Sequence, residues 1–366
     1  MDKVLLVSCE GLGRGGVQSV IMSIVKGLSD KFIFDIVLFT NEKRYYDDEF
    51  EAYGGKIFRI PHYSGKIWMR KKLDYYIRGP HIMLDLKKII KKNGPDKVIH
   101  CNNIYESGLC LKAAKQLIPI RICHAHVIAS KGNVIVNKLN GVYKRYIEEN
   151  STCLVGCSIE ANQSLYGAEK SSSVILNPYD NNRFNPQMFS MENRKHPRLI
   201  QIGYFCENKN QCFSIEILSQ IKNKYRDAEL VFIGFDTENY LSKMLELIEE
   251  RNLQNNIKFY PQDADSPKLL AESDIFLLPS YNEGFGIVLI EAQAMGARCY
   301  ASNNVPKLTN VGNCMYIPLE YGAAKWAKII LDDFENKKER QIVDCSAFSM
   351  ESFLKKIDSI YSGDNV

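Results

Sequence analysis

The sequence predicts an α/β protein with two domains, each built on a parallel β-sheet covered by helices. Short apolar runs of strand length alternate with segments of helical periodicity along most of the 366 residues. The alternation pauses at the polar, proline-bearing segment 181–197 and then restarts. We therefore expect an N-terminal domain at 1–180, a linker region at 181–197, a second domain at 198–345 and a C-terminal helix at 346–366 that crosses back to the first domain.

Composition and charge narrow the class of protein. The chain is 45% hydrophobic and 25% charged, as soluble globular proteins are, and no apolar run approaches the roughly 20 residues of a membrane span. The opening residues predict a first strand rather than a signal peptide. Eleven cysteines, an odd number without a C-x-x-C pair, indicate free thiols in a reducing cytoplasm. The first half is basic and the second acidic, which suggests two domains with different partners.

The apolar runs and helical periods place the elements as follows. In the first domain we predict strands at 3–7, 34–39, 56–60, 97–100, 121–125 and 153–157, and helices at 19–28, 82–92, 108–116, 137–150 and 158–166. In the second domain we predict strands at 199–202, 229–233, 257–259 and 275–278, and helices at 212–222, 240–251, 267–271, 287–295 and 325–334, followed by the C-terminal helix at 350–361.

The strand at 275–278, the turn after it and the next helix predict a site for a phosphorylated ligand. The turn contains Gly284 and Gly286, which let the backbone approach a ligand closely. The helix after it aims unpaired N–H groups and the positive end of its dipole at the strand's carboxyl end. Glu283 and Glu291 flank this helix start, and a carboxylate can accept hydrogen bonds from vicinal sugar hydroxyls. The alternative is an ordinary helix with an acidic first turn.

A glycine loop after the first strand supports a rival class. Residues 11–16 match G-x-G-x-x-G between a strand and a helix, the fingerprint of dinucleotide-binding enzymes, with Glu42 as a loose candidate for the acid that the fingerprint requires. A loop of this kind can equally bring an acceptor or a diphosphate close to a helix start. The motif therefore leaves an NAD-type enzyme open as an alternative.

Two further features concern charge and metal binding. His124 and His126 lie two apart at the end of a strand and so share one face, which is compatible with a metal site, but no third ligand is evident. Lys209 follows the strand that opens the second domain, where its charge could neutralise a leaving diphosphate. A solvated surface lysine is the alternative for Lys209.

Taken together, these motifs resemble glycosyltransferase family 4. The resemblance is carried in chain order by residues 15–18 (Gly-Gly-Val-Gln), His126, Lys209 with Asn210, and the Glu283–x7–Glu291 segment, and it covers nearly the whole chain. It implies the GT-B fold, with two Rossmann-like domains facing across a cleft. It also implies a retaining transferase that uses a nucleoside diphosphate sugar and needs no metal or other cofactor. A looser match, at 301–307, 317–319 and Trp326, resembles the bacterial capsular and exopolysaccharide branch, in which UDP is the commoner nucleotide.

The resemblance also implies roles for individual residues. Those expected in catalysis are His126, which contacts the donor sugar, Lys209, which stabilises the leaving group, and Glu283, which binds donor hydroxyls; Glu291 is expected to hold the ribose. The expected donor-binding residues are Gly16, Gly203, Tyr204, Lys209, Asn210, Ser280, Glu283, Gly284, Phe285, Gly286, Ile287, Val288 and Glu291. The expected acceptor-binding residues are Gly15, Gly16, Val17, Gln18, His100 and Asn102.

One departure from the family pattern bears on catalysis. Tyr204 stands where the family usually has an arginine, so one of two cationic groups near the leaving phosphate is missing. Either Lys209 suffices, or another cation such as Arg14 enters from the first domain. The alternatives are a non-catalytic GT-B partner subunit, for which Tyr204 is the only support, and a sugar-nucleotide 2-epimerase of the same fold.

A basic segment predicts contact with a membrane surface. Residues 66–78 mix lysine, arginine and aromatic side chains, and Lys87, Lys88, Lys91 and Lys92 continue the positive charge. We expect a cytoplasmic protein, peripheral at the inner face of the plasma membrane, with a lipid-linked saccharide as acceptor. A solvated, lysine-rich helix face is the alternative. Nucleic acid is not an expected partner, because the second domain is acidic and no recognition motif is present.

Overall fold

The computed structural model describes residues 1–8, 11–60, 68–94, 96–128, 134–190, 194–237, 239–336 and 340–364, and in the segment that begins at 68 it describes side chains from 79 onward. The chain divides into two compact units. The first comprises Met1–Pro178 together with Met350–Val366, and the second comprises Tyr179–Ser349. The segment expected as a linker lies within the second unit, where Phe184 is buried in the core.

The first unit is built on a seven-stranded parallel sheet. Its strands are β1 (Asp2–Ser8), β2 (Phe32–Leu38), β3 (Ile57–Arg59), β4 (Val98–Cys101), β5 (Ile120–Ala125), β6 (Cys153–Gly156) and β7 (Ser173–Val174), in the spatial order β3-β2-β1-β4-β5-β6-β7. Its helices up to the domain boundary are α1 (Gly16–Leu28), α2 (Asp47–Ala52), α3 (Trp68–Asn93), α4 (Ser107–Ala114), α5 (Val134–Asn150) and α6 (Ile159–Tyr166).

The second unit is built on a six-stranded parallel sheet. Its strands are β8 (Arg198–Ile202), β9 (Glu229–Ile233), β10 (Ile257–Tyr260), β11 (Ile275–Leu278), β12 (Arg298–Ser302) and β13 (Cys314–Ile317), in the spatial order β10-β9-β8-β11-β12-β13. Its helices are α7 (Gln211–Lys222), α8 (Tyr240–Glu250), α9 (Ser266–Ala271), α10 (Ile287–Ala294) and α11 (Gly322–Asn336). Two such units confirm the predicted α/β class.

Burial on both faces explains why the strands are so apolar. In β8 and β11, alternate residues belong to two different clusters: Leu199 and Ile275 to one, Ile200 and Phe276 to the other. Side chains of a strand alternate between faces, so each face of the second sheet has its own core. This is the arrangement that parallel sheets require, because helices cover both sides.

The last helix, α12 (Met350–Ser362), completes the first unit rather than the second. Its residues Phe353, Ile357, Ile360 and Tyr361 are buried in the core that α1 and β1 share. The ring of Tyr361 lies edge-on to that of Phe32, with centroids 5.4 Å apart. The chain thus crosses to the second unit after β7 and returns at Met350.

The structure differs from the predicted elements in a few places. Helix α1 begins inside the glycine loop. Helix α3 continues through Gly79 and Pro80, which precede its predicted start. Pro95, which follows its predicted end, lies outside the described residues. Helix α2 and strands β7, β12 and β13 were not predicted. β12 begins with an arginine and contains a tyrosine, and both bind Asp333 on α11: Arg298 donates to its carbonyl at 3.0 Å and Tyr300 to its carboxylate at 2.7 Å. Polar groups paired in this way interrupt the apolar pattern.

The contact between α4 and α5 yields a stability prediction. A methyl group on Gly108 would lie 2.2 Å from the carbonyl oxygen of Tyr143 on α5, whereas one on the exposed Gly141 of α5 would meet nothing within 4 Å. We expect Gly108→Ala to destabilise the first unit by about 1–3 kcal/mol, because a main-chain atom cannot move aside easily. Gly141→Ala should instead stabilise it by about 0.5–1 kcal/mol through helix propensity. Urea denaturation of both variants tests this, and equal midpoints would contradict the close packing.

Candidate active site

The candidate site in the second unit lies where the order of the sheet reverses. Strands β8 and β11 are neighbours, but the chain proceeds from β8 to β9 on one side and from β11 to β12 on the other. Loops that leave two such strands diverge and open a crevice at the carboxyl edge of the sheet, which is where open α/β sheets bind ligands. The two loops here are residues 203–210 after β8 and 279–286 after β11.

Main-chain contacts hold these two loops together. The amide of Tyr281 donates to the carbonyl of Asn208 at 2.9 Å, and the side-chain amide of Asn208 donates to the carbonyl of Asn282 at 2.8 Å. Asn210, which adopts a left-handed conformation at the start of α7, donates from its side chain to the carbonyl of Pro279 at 3.2 Å. Residues 69 to 74 positions apart in sequence therefore form one edge.

Lys209 and Glu283 meet across this edge. The Lys209 ammonium lies 2.5 Å from Oε1 of Glu283, and the Ser280 hydroxyl donates to the same oxygen at 2.8 Å. Glu283 is 8% exposed and the Lys209 side chain 21%, so both charges have given up much of their hydration. The lysine carbonyl accepts a hydrogen bond from Gln201 at 2.7 Å, which fixes the turn that carries it. Lys209, Glu283 and Ser280, which were predicted as separate site residues, thus form one cluster.

The start of α10 follows this cluster directly. Gly286 occupies the cap position with φ of 87°, a left-handed conformation that favours glycine, and no side chain caps the helix. The helix has no acidic residue in its first turn, so its dipole there is uncompensated by the chain itself. The main chain of Ile287 and Val288 therefore lies where an anion is favoured. Phe285 is 4% exposed and its ring packs 6.0 Å from that of Phe348, so its side chain serves the core.

Glu291 lies in the second turn of α10 in a partly buried environment. Burial raises the pKa of its carboxyl group to about 8, while Arg183 acts to lower that pKa and Asp180 to raise it. Asp180 in turn accepts hydrogen bonds from the amides of Asn182 and Arg183, each at 3.1 Å. Sequence reasoning missed Arg183. In the sequence, the signal that could have suggested Arg183 is its position shortly after the asparagine-proline pair at 177–178.

Tyr204 occupies an aromatic environment. Its ring lies edge-on to that of Phe235, with centroids 4.7 Å apart, and Phe235 is 43% exposed at the end of β9. The carbonyl of Tyr204 accepts a hydrogen bond from Gln211 at 2.7 Å. Gly203 beside it has φ of 149°, and the aliphatic stem of Lys209 passes over it. A paired aromatic group therefore stands where the resemblance implies a cation.

The first unit holds the other candidates. His100 and Asn102 follow one another along and beyond β4, and His126 follows β5; all three are buried. His126 Nε2 lies 2.9 Å from the amide oxygen of Asn102. Burial lowers the pKa values of His100 and His126 to about 3, so these rings are neutral. Of the described residues, no three histidine, cysteine, aspartate or glutamate side chains are arranged to hold a metal ion.

The glycine loop does not have the packing that the dinucleotide fingerprint requires. The third glycine of that motif allows a helix to approach a strand closely, but a methyl group on Gly16 would meet nothing within 4 Å. Glu42 lies beyond the end of β2 and pairs with Arg44. Gly15 precedes α1, Gly16 is exposed, and Gln18 is buried in α1 with Val17 against the core. Arg14, the other expected cation, stacks on the Tyr45 ring at 3.8 Å.

Comparison with known proteins finds relatives that are described as glycosyltransferases. Residues 185–311 match the family described as glycosyl transferases group 1. The chain is 27% identical over 361 residues to the capsular polysaccharide biosynthesis glycosyltransferase CapH of Staphylococcus aureus, covering 96% of both chains. It is 26% identical over 327 residues to the putative glycosyltransferase EpsF of Bacillus subtilis, covering 85% of this chain and 82% of that protein.

Solved structures share the whole fold. The crystal structure of Anabaena HepE in complex with UDP superposes with a TM-score of 0.78 at 18% identity, covering 99% of this chain and 100% of that one. The structure of the lipopolysaccharide-biosynthesis glycosyltransferase WaaG superposes with a TM-score of 0.67 at 17% identity, covering 98% of each chain. The match at 185–311 contains the Lys209–Glu283 cluster and the whole of α10. The chain therefore carries a glycosyl transferases group 1 domain and has the two-unit GT-B fold.

Proposed function

We propose that this protein is a retaining, metal-independent glycosyltransferase that moves a sugar from a nucleoside diphosphate sugar, with UDP favoured, to a hydroxyl of a lipid-linked glycan in capsule or exopolysaccharide assembly. The observation that carries the proposal is the cluster of Lys209, Glu283 and Ser280 beside the uncapped start of α10. The description of CapH as a capsular polysaccharide biosynthesis glycosyltransferase supports the pathway, and the UDP complex of HepE supports the nucleotide.

The charges at this edge suit a sugar diphosphate. The diphosphate would lie at the start of α10, where main-chain N–H groups and the helix dipole favour anions. On donor binding, Lys209 would exchange the carboxylate of Glu283 for a phosphate oxygen. Glu283 would then accept hydrogen bonds from hydroxyls of the transferred sugar. Each group of the ion pair thus acquires a ligand partner when the pair separates.

The remaining site residues would bind the other parts of the donor and the acceptor. Glu291 would hold the ribose from the second turn of α10. His126 of the first unit would contact the donor sugar, and residues 15–18 would contact the acceptor. The leaving phosphate would help to deprotonate the acceptor hydroxyl on the face from which it departs, so no protein base is assigned. Lys209 and the helix start would stabilise the charge that develops on the phosphate, a role that a metal plays elsewhere.

A non-catalytic partner subunit is the second candidate, because Tyr204 pairs with Phe235 where a cation is expected. A protein of that kind could conserve the fold and bind a nucleotide without turnover. A 2-epimerase is less well supported, since the similar proteins named above are described as glycosyltransferases. Turnover of donor separates these candidates.

The first prediction of the proposal concerns Glu283. We expect purified protein in excess EDTA to release nucleoside diphosphate slowly from one member of a panel of UDP- and GDP-sugars. Glu283→Ala should reduce that release on the order of 100-fold or more, because its hydroxyl contacts are lost and Lys209 is left without a carboxylate. Glu207→Gln is the matched control. Glu207 lies in the same loop as Lys209, and its exposed carboxylate pairs with Lys243 of α8.

The results of the donor panel bear directly on the two candidates. Full activity of Glu283→Ala would contradict the assignment of the donor site. Binding of UDP by calorimetry without turnover of any donor would favour the partner subunit. Loss of activity in EDTA that added magnesium restores would contradict metal independence.

A second prediction follows from the raised pKa of Glu291. The folded protein keeps this carboxyl protonated up to about pH 8, whereas the unfolded chain releases the proton near 4.5. Folding therefore takes up a proton between these values, and the contribution of Glu291 to stability falls as pH rises through that window. We expect Glu291→Gln to stabilise the ligand-free protein by up to about 4 kcal/mol at pH 7.5, which is about 1.4 kcal/mol for each pH unit above 4.5, and by little at pH 4.5.

The same variant should lose the extra stabilisation that UDP gives the wild type, because its ribose contact is weakened. Thermal unfolding at both pH values, with and without UDP, measures both effects. Glu246→Gln is the control, since it removes a carboxylate of α8, away from α10. A variant that is less stable than wild type at pH 7.5 would contradict the buried, protonated state.

The third prediction concerns the membrane. No helix in the described part of the chain is long and apolar enough to cross a membrane. The side chains of 66–78 lie outside the described residues, but Lys87, Lys88, Lys91 and Lys92 are exposed along α3. Their positions are opposite to the buried residues Ile82, Leu86 and Ile90. We propose that this face contacts the anionic inner surface of the plasma membrane, where a lipid-linked acceptor would be presented.

We expect the protein to sediment with vesicles that contain phosphatidylglycerol but not with vesicles of phosphatidylcholine alone. Lys87→Gln with Lys91→Gln should weaken binding about tenfold or more, since each basic residue near an anionic surface contributes roughly 1 kcal/mol. Lys325→Gln with Lys328→Gln on α11 is the control, because these exposed lysines belong to the second unit. Equal weakening by both pairs would show charge attraction without a defined face.

A further inference from the structure

Three histidines and one tyrosine form a continuous row inside the first unit. The hydroxyl of Tyr361, near the end of α12, lies 2.7 Å from Nδ1 of His100. His100 Nε2 lies 3.1 Å from Nδ1 of His124, and the two rings are parallel within 4°. The His124 ring stacks on that of His126, with centroids 3.9 Å apart. All four side chains are buried, so no solvent loosens the row.

The far end of the row has a defined proton arrangement. The side-chain amide of Asn102 donates from Nδ2 to the carbonyl of His100 at 3.2 Å, so its oxygen faces His126. That oxygen can only accept, and it lies 2.9 Å from His126 Nε2. His126 therefore carries its proton on Nε2 and a lone pair on Nδ1, which has no hydrogen-bond partner among the described residues. That nitrogen is buried in the ligand-free protein, and a hydrogen-bond donor from a ligand would satisfy it.

The near end of the row is fixed by a different element of the chain. His100 and His124 belong to adjacent strands β4 and β5, and their side chains lie on the face of the sheet that α1 and α12 cover. Tyr361 is the only residue of α12 that hydrogen-bonds to this row in the described part of the chain. Its ring is locked against Phe32, so the hydroxyl has little freedom. Loss of this hydrogen bond would free the His100 ring, and with it the ring of His124.

We propose that Tyr361 is a positioning residue for His126 and acts through His100 and His124. The hydroxyl fixes the orientation of the His100 ring, the hydrogen bond between the two rings fixes that of His124, and stacking sets the plane of His126. The inference rests on the proposed function, in which His126 contacts the donor sugar. It gives α12 a part in catalysis besides its contribution to the core.

The test compares two buried tyrosines of the first unit. Tyr361→Phe keeps the packing against Phe32 and removes only the hydroxyl. Tyr166→Phe is the control: the hydroxyl of Tyr166 lies 2.8 Å from two main-chain carbonyl oxygens, those of Cys123 and Val155, and its one proton can be donated to either. Both variants lose a buried hydrogen bond, so both should unfold at a lower temperature. If Tyr361 has only a structural role, Tyr361→Phe should show this loss of stability and no change in kcat.

We expect Tyr361→Phe to lower kcat for the donor found in the panel about tenfold, with KM and UDP affinity within about twofold of wild type. Tyr166→Phe should leave kcat unchanged. A Tyr361→Phe enzyme with wild-type kcat, or an equal loss of kcat in both variants, would overturn the proposal.

Nitrogen NMR of histidine-labelled protein provides a readout that does not require turnover. The chain has six histidines, and single His→Gln variants assign their ring signals. We expect Tyr361→Phe to shift the ring nitrogens of His100, His124 and His126, and Tyr166→Phe to leave those of His126 in place. A shift confined to His100 would overturn the proposed coupling of Tyr361 to His126. Wild-type protein that turns over no donor would contradict the proposed function instead, and the ring signals would still decide whether Tyr361 sets His126.

Discussion

The ion pair between Lys209 and Glu283 depends on a single topological fact, the adjacency of β8 and β11. The two residues are 74 positions apart, and the hydrogen bonds that join their loops bring an ammonium and a carboxylate to 2.5 Å. Taking two charges out of water is costly, and their attraction offsets that cost only with good geometry and further hydrogen bonds. Ser280 supplies one such bond, and Ser302 on β12 donates to the Ser280 carbonyl at 2.5 Å. Three strands therefore cooperate to hold one carboxylate oxygen.

Several energetically unfavourable features lie around the same edge. Gly203 and Gly286 adopt backbone conformations that favour glycine, Asn210 is left-handed, and Glu291 is buried without a compensating ion pair strong enough to keep its pKa low. Such features reduce stability and are found where a ligand must be bound. The core clusters on both faces of the second sheet provide the stability that offsets them. A ligand with a diphosphate and neighbouring hydroxyls would satisfy several of these groups at once.

The sequence was sufficient for the strands that carry the site, because β8 and β11 are local, mostly apolar runs; the predicted bounds of β11 match the structure, and β8 begins one residue before its predicted start. It was insufficient where tertiary contacts override the local structural preference of a residue. Arg298 and Tyr300 look unsuited to a central strand until Asp333 of α11 is beside them. Pro80 indicates a helix end, yet α3 continues through it. Likewise Lys209 and Glu283 could be proposed singly, but their pairing and the approach of Arg183 to Glu291 follow from topology, which no local pattern encodes.

The aromatic pair of Tyr204 and Phe235 bears on how a single cation could serve the proposed reaction. An arginine at position 204 would need a charged or wet environment, whereas here an edge-on phenyl ring lies 4.7 Å away. The neutral side chain and its neighbour therefore form a consistent unit. Under the proposed function, the positive charge at the phosphate comes from Lys209 and from the start of α10. Because Lys209 is released from Glu283 only when the sugar hydroxyls replace it, its charge would become available together with the correctly seated donor, which couples donor recognition to leaving-group stabilisation.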